Sequence, residues 1–309
     1  MGPYLSSPVT KKKCAFSENE RAKIYACEMQ GWRNSMEDAT MLEENLRESL
    51  MIFGVFDGHG GKEVAHFVAR HFNNELSNCR PFLNGNYEHG LKETFLRMDE
   101  MMKSPDGIKE LLRTSRDLPE SHPVFCELSS IVSGCTTVIT LISKDALYVA
   151  NVGDPKCILS RNCVAKELTT NHTLTLPGER ERIIKAGGQI LRNRVMGKLN
   201  FTRSIGDFEY KKNNSIAPKE QIISAYPDIK IEPLLGNEDF LILGSDGVFD
   251  MVSPQACVNF IHEQLAGGEN PELVLENLLN QCLAADPSSN EGLGCDNMAI
   301  ILVEFKLRA

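Results

Sequence analysis

Aspartate recurs in this chain where hydrophobic runs stop. The stretch FGVFDGHGG, Phe53 to Gly61, carries an apolar run into Asp57 and then spends three of its next four residues on glycine. FLILGSDG, residues 240–247, does the same into Asp246-Gly247, with Asp250 three positions after Gly247. Two further acid pairs stand in front of apolar stretches: Asp296-Asn297 before MAIILVEF, and Glu37-Asp38 at the head of a strand predicted over 38–43. Carboxylates gathered without a partner raise one another's pKa, and a divalent cation removes that repulsion. Oxygen donors without paired histidine or cysteine nearby select Mg²⁺ or Mn²⁺ over Zn²⁺. Glycine beside each aspartate lets the backbone come close enough for a carbonyl or a water to complete the shell. A single Asp-Gly after a strand is ordinarily a turn. Four such segments meeting in space is the expectation that turns them into a metal centre.

These acids need strands to hold them. Strands are predicted over 24–30, 38–43 and 50–57. Val64, Phe67, Val68, His71, Phe72 and Leu76 recur at helical spacing within 63–78, and Leu91, Phe95, Met98 and Met102 within 88–102. Residues 104–131 form a polar excursion with Pro105, Pro119 and Pro123 and one short helix near 107–116. Close-set strands at 135–143, 146–151, 156–161 and 163–168 imply antiparallel hairpins. Pro177 opens a helix that stops at Gly187-Gly188. Strands over 221–232 and 239–244 precede two helices opened by Ser253-Pro254 and Asn270-Pro271, and 298–305 is a last strand. Antiparallel clusters with helices at both ends of the series predict two packed sheets covered by helices, an α+β architecture. Without repeats or a low-complexity linker, one domain over 21–309 is expected behind a flexible tail, 1–20.

Composition narrows the class. The chain has 309 residues, 42% hydrophobic and 24% charged, which is ordinary globular material with enough apolar mass for a large core. No apolar run approaches the roughly 20 residues of a membrane span, and MGPYLSSPVTKKKC lacks the hydrophobic segment of a secretory signal. A cytoplasmic protein is expected, with the nucleus also open to it. A net charge of −9 argues against nucleic acid as a partner. Ten cysteines without a Cys-x-x-Cys pair suggest small reduced side chains, with neither a zinc site nor a disulfide framework. Met1-Gly2 with Ser6 fits the myristoylation pattern, and Lys11 to Lys13 offer a basic second signal. Pro3 beside the acceptor opposes it, so membrane association is expected only if Gly2 is acylated.

Seven blocks then appear in order: GWRNSMEDA (31–39), FGVFDGHGG (53–61), SGCTTV (133–138), VANVGD (149–154), RSIGDFEYK (203–211), GSDGVFD (244–250) and GCDNMAIIL (294–302). Together they resemble the metal-dependent serine/threonine protein phosphatases, the PPM or type 2C family, over residues 24 to 305. The resemblance implies a β-sandwich of two antiparallel sheets flanked by α-helices on both faces (α/β/β/α), with two Mg²⁺ or Mn²⁺ ions in a cleft at one end. Asp57 matches the ligand that bridges the ions, and Gly58 a backbone carbonyl ligand. Asp246 and Asp296 match the remaining protein ligands. Glu37 would reach metal directly or through water, and Asp38 would orient bound waters. Asp154 and Asp250 match positions that hold a weaker third ion in some members. Arg33 matches the residue that grips substrate phosphate, and His59 the proposed general acid. In such a site a shared water loses its proton near neutrality and attacks phosphorus in line, without a phosphoenzyme. Arg33 presents a fork to two phosphate oxygens, and His59 can protonate the departing alkoxide.

Three departures stand out. Pro155-Lys156 follow Asp154 where the family commonly has serine and arginine, and Pro155 removes an amide donor there. Asn171-His172 replaces the usual Asp-His, and Cys135 a frequent serine. Residues 172–200 would form a flap beside the cleft and 212–220 a polar loop, segments that tend to choose substrates. Phosphorylated proteins are the expected partners, and a monomer the expected state. A non-catalytic phosphoprotein-binding module on the same scaffold is the alternative, disfavoured because Arg33, Glu37, Asp38, Asp57, Asp246 and Asp296 are all present. Hydrolysis of small phosphate esters stays open, while a missing Gly-x-x-x-x-Gly-Lys loop weakens nucleotide use.

Overall fold

The protein is described here by a computed structural model covering residues 4–47, 50–118, 128–288 and 292–306. Gly2, Pro119 and Pro123 lie outside the described residues. In chain order the first strands are β1 (Val9–Glu18), β2 (Ala22–Gly31), β3 (Ala39–Arg47) and β4 (Leu50–His59). Four helices follow: α1 (Glu63–Asn78), α2 (Arg80–Leu83), α3 (Tyr87–Lys103) and α4 (Pro105–Ser115). Next come β5 (Gly134–Ile142), β6 (Ala146–Val152), β7 (Lys156–Arg161) and β8 (Val164–Glu167). Helix α5 (Pro177–Lys185) leads to the short strands β9 (Ile190–Leu191), β10 (Arg194–Val195) and β11 (Ile205–Gly206). The chain ends with β12 (Asp228–Pro233), β13 (Glu238–Gly244), α6 (Asp246–Phe249), α7 (Pro254–Ala266), α8 (Pro271–Cys282) and β14 (Met298–Phe305).

MAIILV in β14 shows no alternation because both of its faces are covered. Met298, Ile300 and Leu302 pack under α7 and α8. Ala299, Ile301 and Val303 point the other way, into a core they share with Met51, Phe53 and Val55 of β4. Strand β4 repeats the arrangement, since Ile52 and Phe56 face Val64, Val68 and Phe72 of α1. One sheet therefore runs β1-β2-β14-β13-β7-β8 and the other β12-β6-β5-β4-β3, with β11 paired to β5. All these pairings are antiparallel, as in Asp57↔Thr136 and Gly244↔Lys156. The result is the α/β/β/α sandwich the sequence predicts.

Three expectations need correcting. Residues 1–20 were expected as a flexible tail, but Val9–Glu18 is an edge strand paired with β2. Its polar composition hid it: lysines on a solvent-facing edge also block further strand addition. Cys14 and Cys27 face each other in that pairing and are disulfide-bonded, with Cα atoms 4.2 Å apart, so these two are not reduced. Finally, only Asp228–Pro233 of the predicted 221–232 strand pairs in a ladder. The carbonyls of Gln221 and Ile222 accept from Arg182, and that of Tyr226 from Arg203. Guanidinium groups and a single parallel bridge between Arg203 and Ser224, with the Ser204 amide donating to the Ser224 carbonyl at 3.1 Å, take the place of a ladder here.

Candidate active site

The sandwich has one end where acids collect. Strand β4 delivers Asp57, Gly58 and His59, and β13 runs through Gly244 and Ser245 into Asp246 at the start of α6. Asp296 stands two residues before β14, Arg33 two after β2, and Asp38 one before β3. Asp154 follows β6 by two residues. Arg33, Glu37, Asp57, Gly58, His59, Asp154, Asp246 and Asp296 line one cleft of about 470 Å³. Asp38 sits behind it, 2% exposed, and Asp250 closes α6 without joining the lining.

Glycines permit the close approach. A Cβ on Gly58 would lie 2.4 Å from the Glu37 carbonyl oxygen, and one on Gly247 would lie 2.0 Å from that of Asn297. Asn297 ties the segments together. Its Nδ2 donates to the carbonyls of Gln30 and Ser35, and its Oδ1 accepts from the Glu37 amide at 2.8 Å. Glu37 is further fixed through Oε2, which accepts from the Gly61 amide at 3.0 Å.

The electrostatics are those of a crowded acid cluster in which Arg33 pairs with Asp296. Burial pushes the Asp57 carboxyl well above the usual range, reinforced by Asp246, Asp38, Asp296 and Asp154. Asp246 is raised by burial and then by Asp154, Asp296 and Asp250, and Asp38 by burial and then Asp296. Asp154 is raised to about 6, chiefly by burial, and Asp250 contributes repulsion. Asp38 Oδ2 is buried without a hydrogen-bond partner among the described residues. An orphaned buried oxygen and mutually repelling carboxylates are what a hard divalent cation relieves, so the donor set fits such an ion. Asp296 is turned elsewhere in this structure: Oδ2 accepts from Arg33 Nη2 at 2.6 Å and Oδ1 from the Asn297 amide at 2.8 Å. Among the described residues, the cleft acids do not form a group of three ligands within 4.8 Å of one another.

The structure also adds residues. His59 Nε2 lies 2.8 Å from Asp207 Oδ2, which accepts from Ser204 Oγ at 2.5 Å. Burial opposes ionisation of Asp207, yet the His59 charge and the His59 and Ser204 hydrogen bonds hold its carboxyl below the usual range. Asp207 occupies a left-handed conformation at φ 50°, so its turn aims the carboxylate inward. Its one sequence signal was the Gly206-Asp207 pair inside the RSIGDFEYK block. From the expected flap, Arg194 and Asn200 join Phe201 in lining the cleft, and Phe201 packs 4.8 Å from the His59 ring. Asn171-His172 is accommodated by Asp228, whose Oδ2 lies 3.2 Å from His172 Nε2. Lys156 pairs with Glu167 at 2.8 Å, away from Asp154.

The protein phosphatase 2C family profile matches residues 22–290. The chain belongs to that family. It is 42% identical over 306 residues to "Probable protein phosphatase 2C 6" of Paramecium tetraurelia, covering 99% of this chain and 100% of the relative. It is 39% identical over 332 residues to "Probable protein phosphatase 2C 21" of Arabidopsis thaliana, covering 99% and 93%. Among solved structures, the serine-threonine phosphatase 2C from Toxoplasma gondii superposes with a TM-score of 0.75 at 18% identity, over 96% of this chain and 99% of that one. At that identity the likeness concerns the fold. The family and its relatives make this chain a protein phosphatase.

Proposed function

We propose that this phosphatase hydrolyses phosphoserine and phosphothreonine esters with two Mg²⁺ or Mn²⁺ ions and without a phosphoenzyme. The observation that carries the reading is the meeting of Asp57, Asp246 and Asp296 with Arg33 and His59 in one cleft. Asp57, the Gly58 carbonyl, Asp246 and Asp296 would hold the pair of ions, and Glu37 and Asp38 would anchor their waters. Asp154 and Asp250 would serve a weaker third. Ions held there supply an acidified water and positive charge against phosphate oxygens.

The remaining work falls to the chain. Arg33 is fork-shaped, permanently charged and at the mouth of the cleft, suited to two oxygens of a phosphate dianion. Its present partner is Asp296, so phosphate would replace that carboxylate on the guanidinium. With Nε2 on Asp207, His59 keeps Nδ1 for the departing serine or threonine oxygen, which needs a proton to leave. Phe201 shields one face of the imidazole.

Turnover of a phosphothreonine peptide by the full chain with Mn²⁺, with chelator, and as Asp57→Asn tests this. Activity should need the ion and fall by orders of magnitude in the variant. No turnover with any divalent ion would favour a non-catalytic phosphoprotein-binding module, and unchanged turnover in Asp57→Asn would refute the role given to Asp57. Turnover of small esters but never of phosphoproteins would reassign the substrate.

A further inference from the structure

We propose that Cys163, Asp239 and His262 form a second metal site, for a borderline-soft divalent ion such as Zn²⁺, at the end of the sandwich opposite the cleft. Strand β7 runs from Lys156, paired with Gly244 at the cleft end, to Arg161, paired with Glu238 at the other. Cys163 lies in the turn just beyond. One ligand atom from each of the three residues falls within 4.8 Å of the other two. They come from three elements: the β7–β8 turn, the start of β13 and the middle of α7. Thiolate, imidazole and carboxylate with an open fourth position is a donor set that suits Zn²⁺ and not Mg²⁺.

The position is built as well as juxtaposed. Asn162 and Cys163 have φ of 53° and 61° between the paired residues Arg161 and Val164. That two-residue turn favours glycine where Cys163 stands, so a thiol is placed there against the local preference. The Cys163 amide donates to Asp239 Oδ2 at 2.9 Å, and Ser160 Oγ donates to the same oxygen at 2.9 Å. Outer hydrogen bonds of this kind orient a ligating carboxylate. His262 Nε2 lies 3.3 Å from Asp239 Oδ2, with its ring 4.7 Å from Phe240. Gln255 on the same helix donates to the Cys163 carbonyl and accepts from the Ala165 amide, both at 2.9 Å, locking the turn to α7. Cys163 is exposed and the other two are half-buried, so an ion can enter from solvent. The other close group, Cys14 with Glu272 and Glu276, loses its sulfur to the Cys14–Cys27 disulfide.

The full chain titrated with Co²⁺ in saturating Mg²⁺, which occupies the acidic cleft, tests the site. One equivalent should produce a thiolate-to-cobalt charge-transfer band that Zn²⁺ bleaches and Cys163→Ser abolishes. His262→Gln should weaken Zn²⁺ binding by more than the roughly 10–100-fold that outer-sphere partners command. Alkylation of Cys163, followed by peptide mass spectrometry, should slow at least tenfold on adding Zn²⁺, with circular dichroism confirming folded variants. The absence of a band in the unmodified protein, its survival in Cys163→Ser, or alkylation indifferent to Zn²⁺ would each overturn the proposal.

Discussion

Glu179 holds the flap to the body of the molecule, and its removal should be felt both in stability and at the cleft. The side chain is buried, yet its two oxygens accept from Arg182 at 2.7 Å, Thr202 at 2.6 Å and Arg203 at 2.8 Å. Arg203 continues to Asp228 at 2.8 Å, and Thr202 directly follows Phe201 of the cleft wall. Burial alone would raise the Glu179 pKa, but the hydrogen bonds and charges of the two arginines bring it from 4.5 down to about 2. At about 1.36 kcal/mol per pKa unit, that shift corresponds to about 3 kcal/mol of stability. The sign follows from the depressed folded value. As pH falls, the unfolded chain takes the proton first, so the contribution is complete above pH 4.5 and disappears toward pH 2. Glu179→Gln should therefore cost about 3 kcal/mol in urea unfolding at pH 7, less whatever the amide oxygen still accepts, with the gap closing in the acid range. The variant should also lose turnover of a phosphothreonine peptide while folded, because Asn200 and Phe201 lose their anchor. A penalty below about 1 kcal/mol at pH 7, or one that does not change with pH, would refute the reasoning.

His59→Gln should lower turnover of phosphothreonine peptides by about 10²–10⁴ while affecting an aryl phosphate, whose leaving group needs no proton, much less. Asp207→Asn should show the same substrate dependence at smaller amplitude, since it acts by holding the ring; steady-state kinetics on both substrates decide. Each Mn²⁺ bound at 100 times its dissociation constant should stabilise the protein by about 2.7 kcal/mol. Ion-free Asp57→Asn should melt above ion-free unmodified protein, because burial and four acids disfavour the Asp57 charge. Gly247→Ala should destabilise by about 3 kcal/mol and weaken Mn²⁺ binding, since its new Cβ meets the Asn297 carbonyl at 2.0 Å. Calorimetric melts with and without the ion test both statements.

The order of elements and the acids themselves were legible in the chain because both follow local rules. A strand buried on both faces must be apolar throughout, so Leu50–Phe56 and Met298–Val303 announced themselves, and an aspartate ending such a run marks one rim of a sheet. Proline and a capping side chain likewise fixed the starts of α7 and α8, where Ser253 and Asn270 accept from Ala256 and Glu272 amides. Strand β1 escaped notice because an edge strand needs little apolar surface, and residues 221–227 misled because arginines distant in sequence satisfy the carbonyls of Gln221, Ile222 and Tyr226 in place of a ladder. Asp207 joining His59 could not be read from sequence, for the pair spans 148 positions. Sequence by itself determined which residues could bind cations, because oxygen chemistry and glycine's small size are properties of single residues. Only the tertiary structure decided which side chains meet, as Asp207 with His59 and Cys163 with Asp239 and His262 do, because antiparallel pairing sets distances that chain separation does not encode.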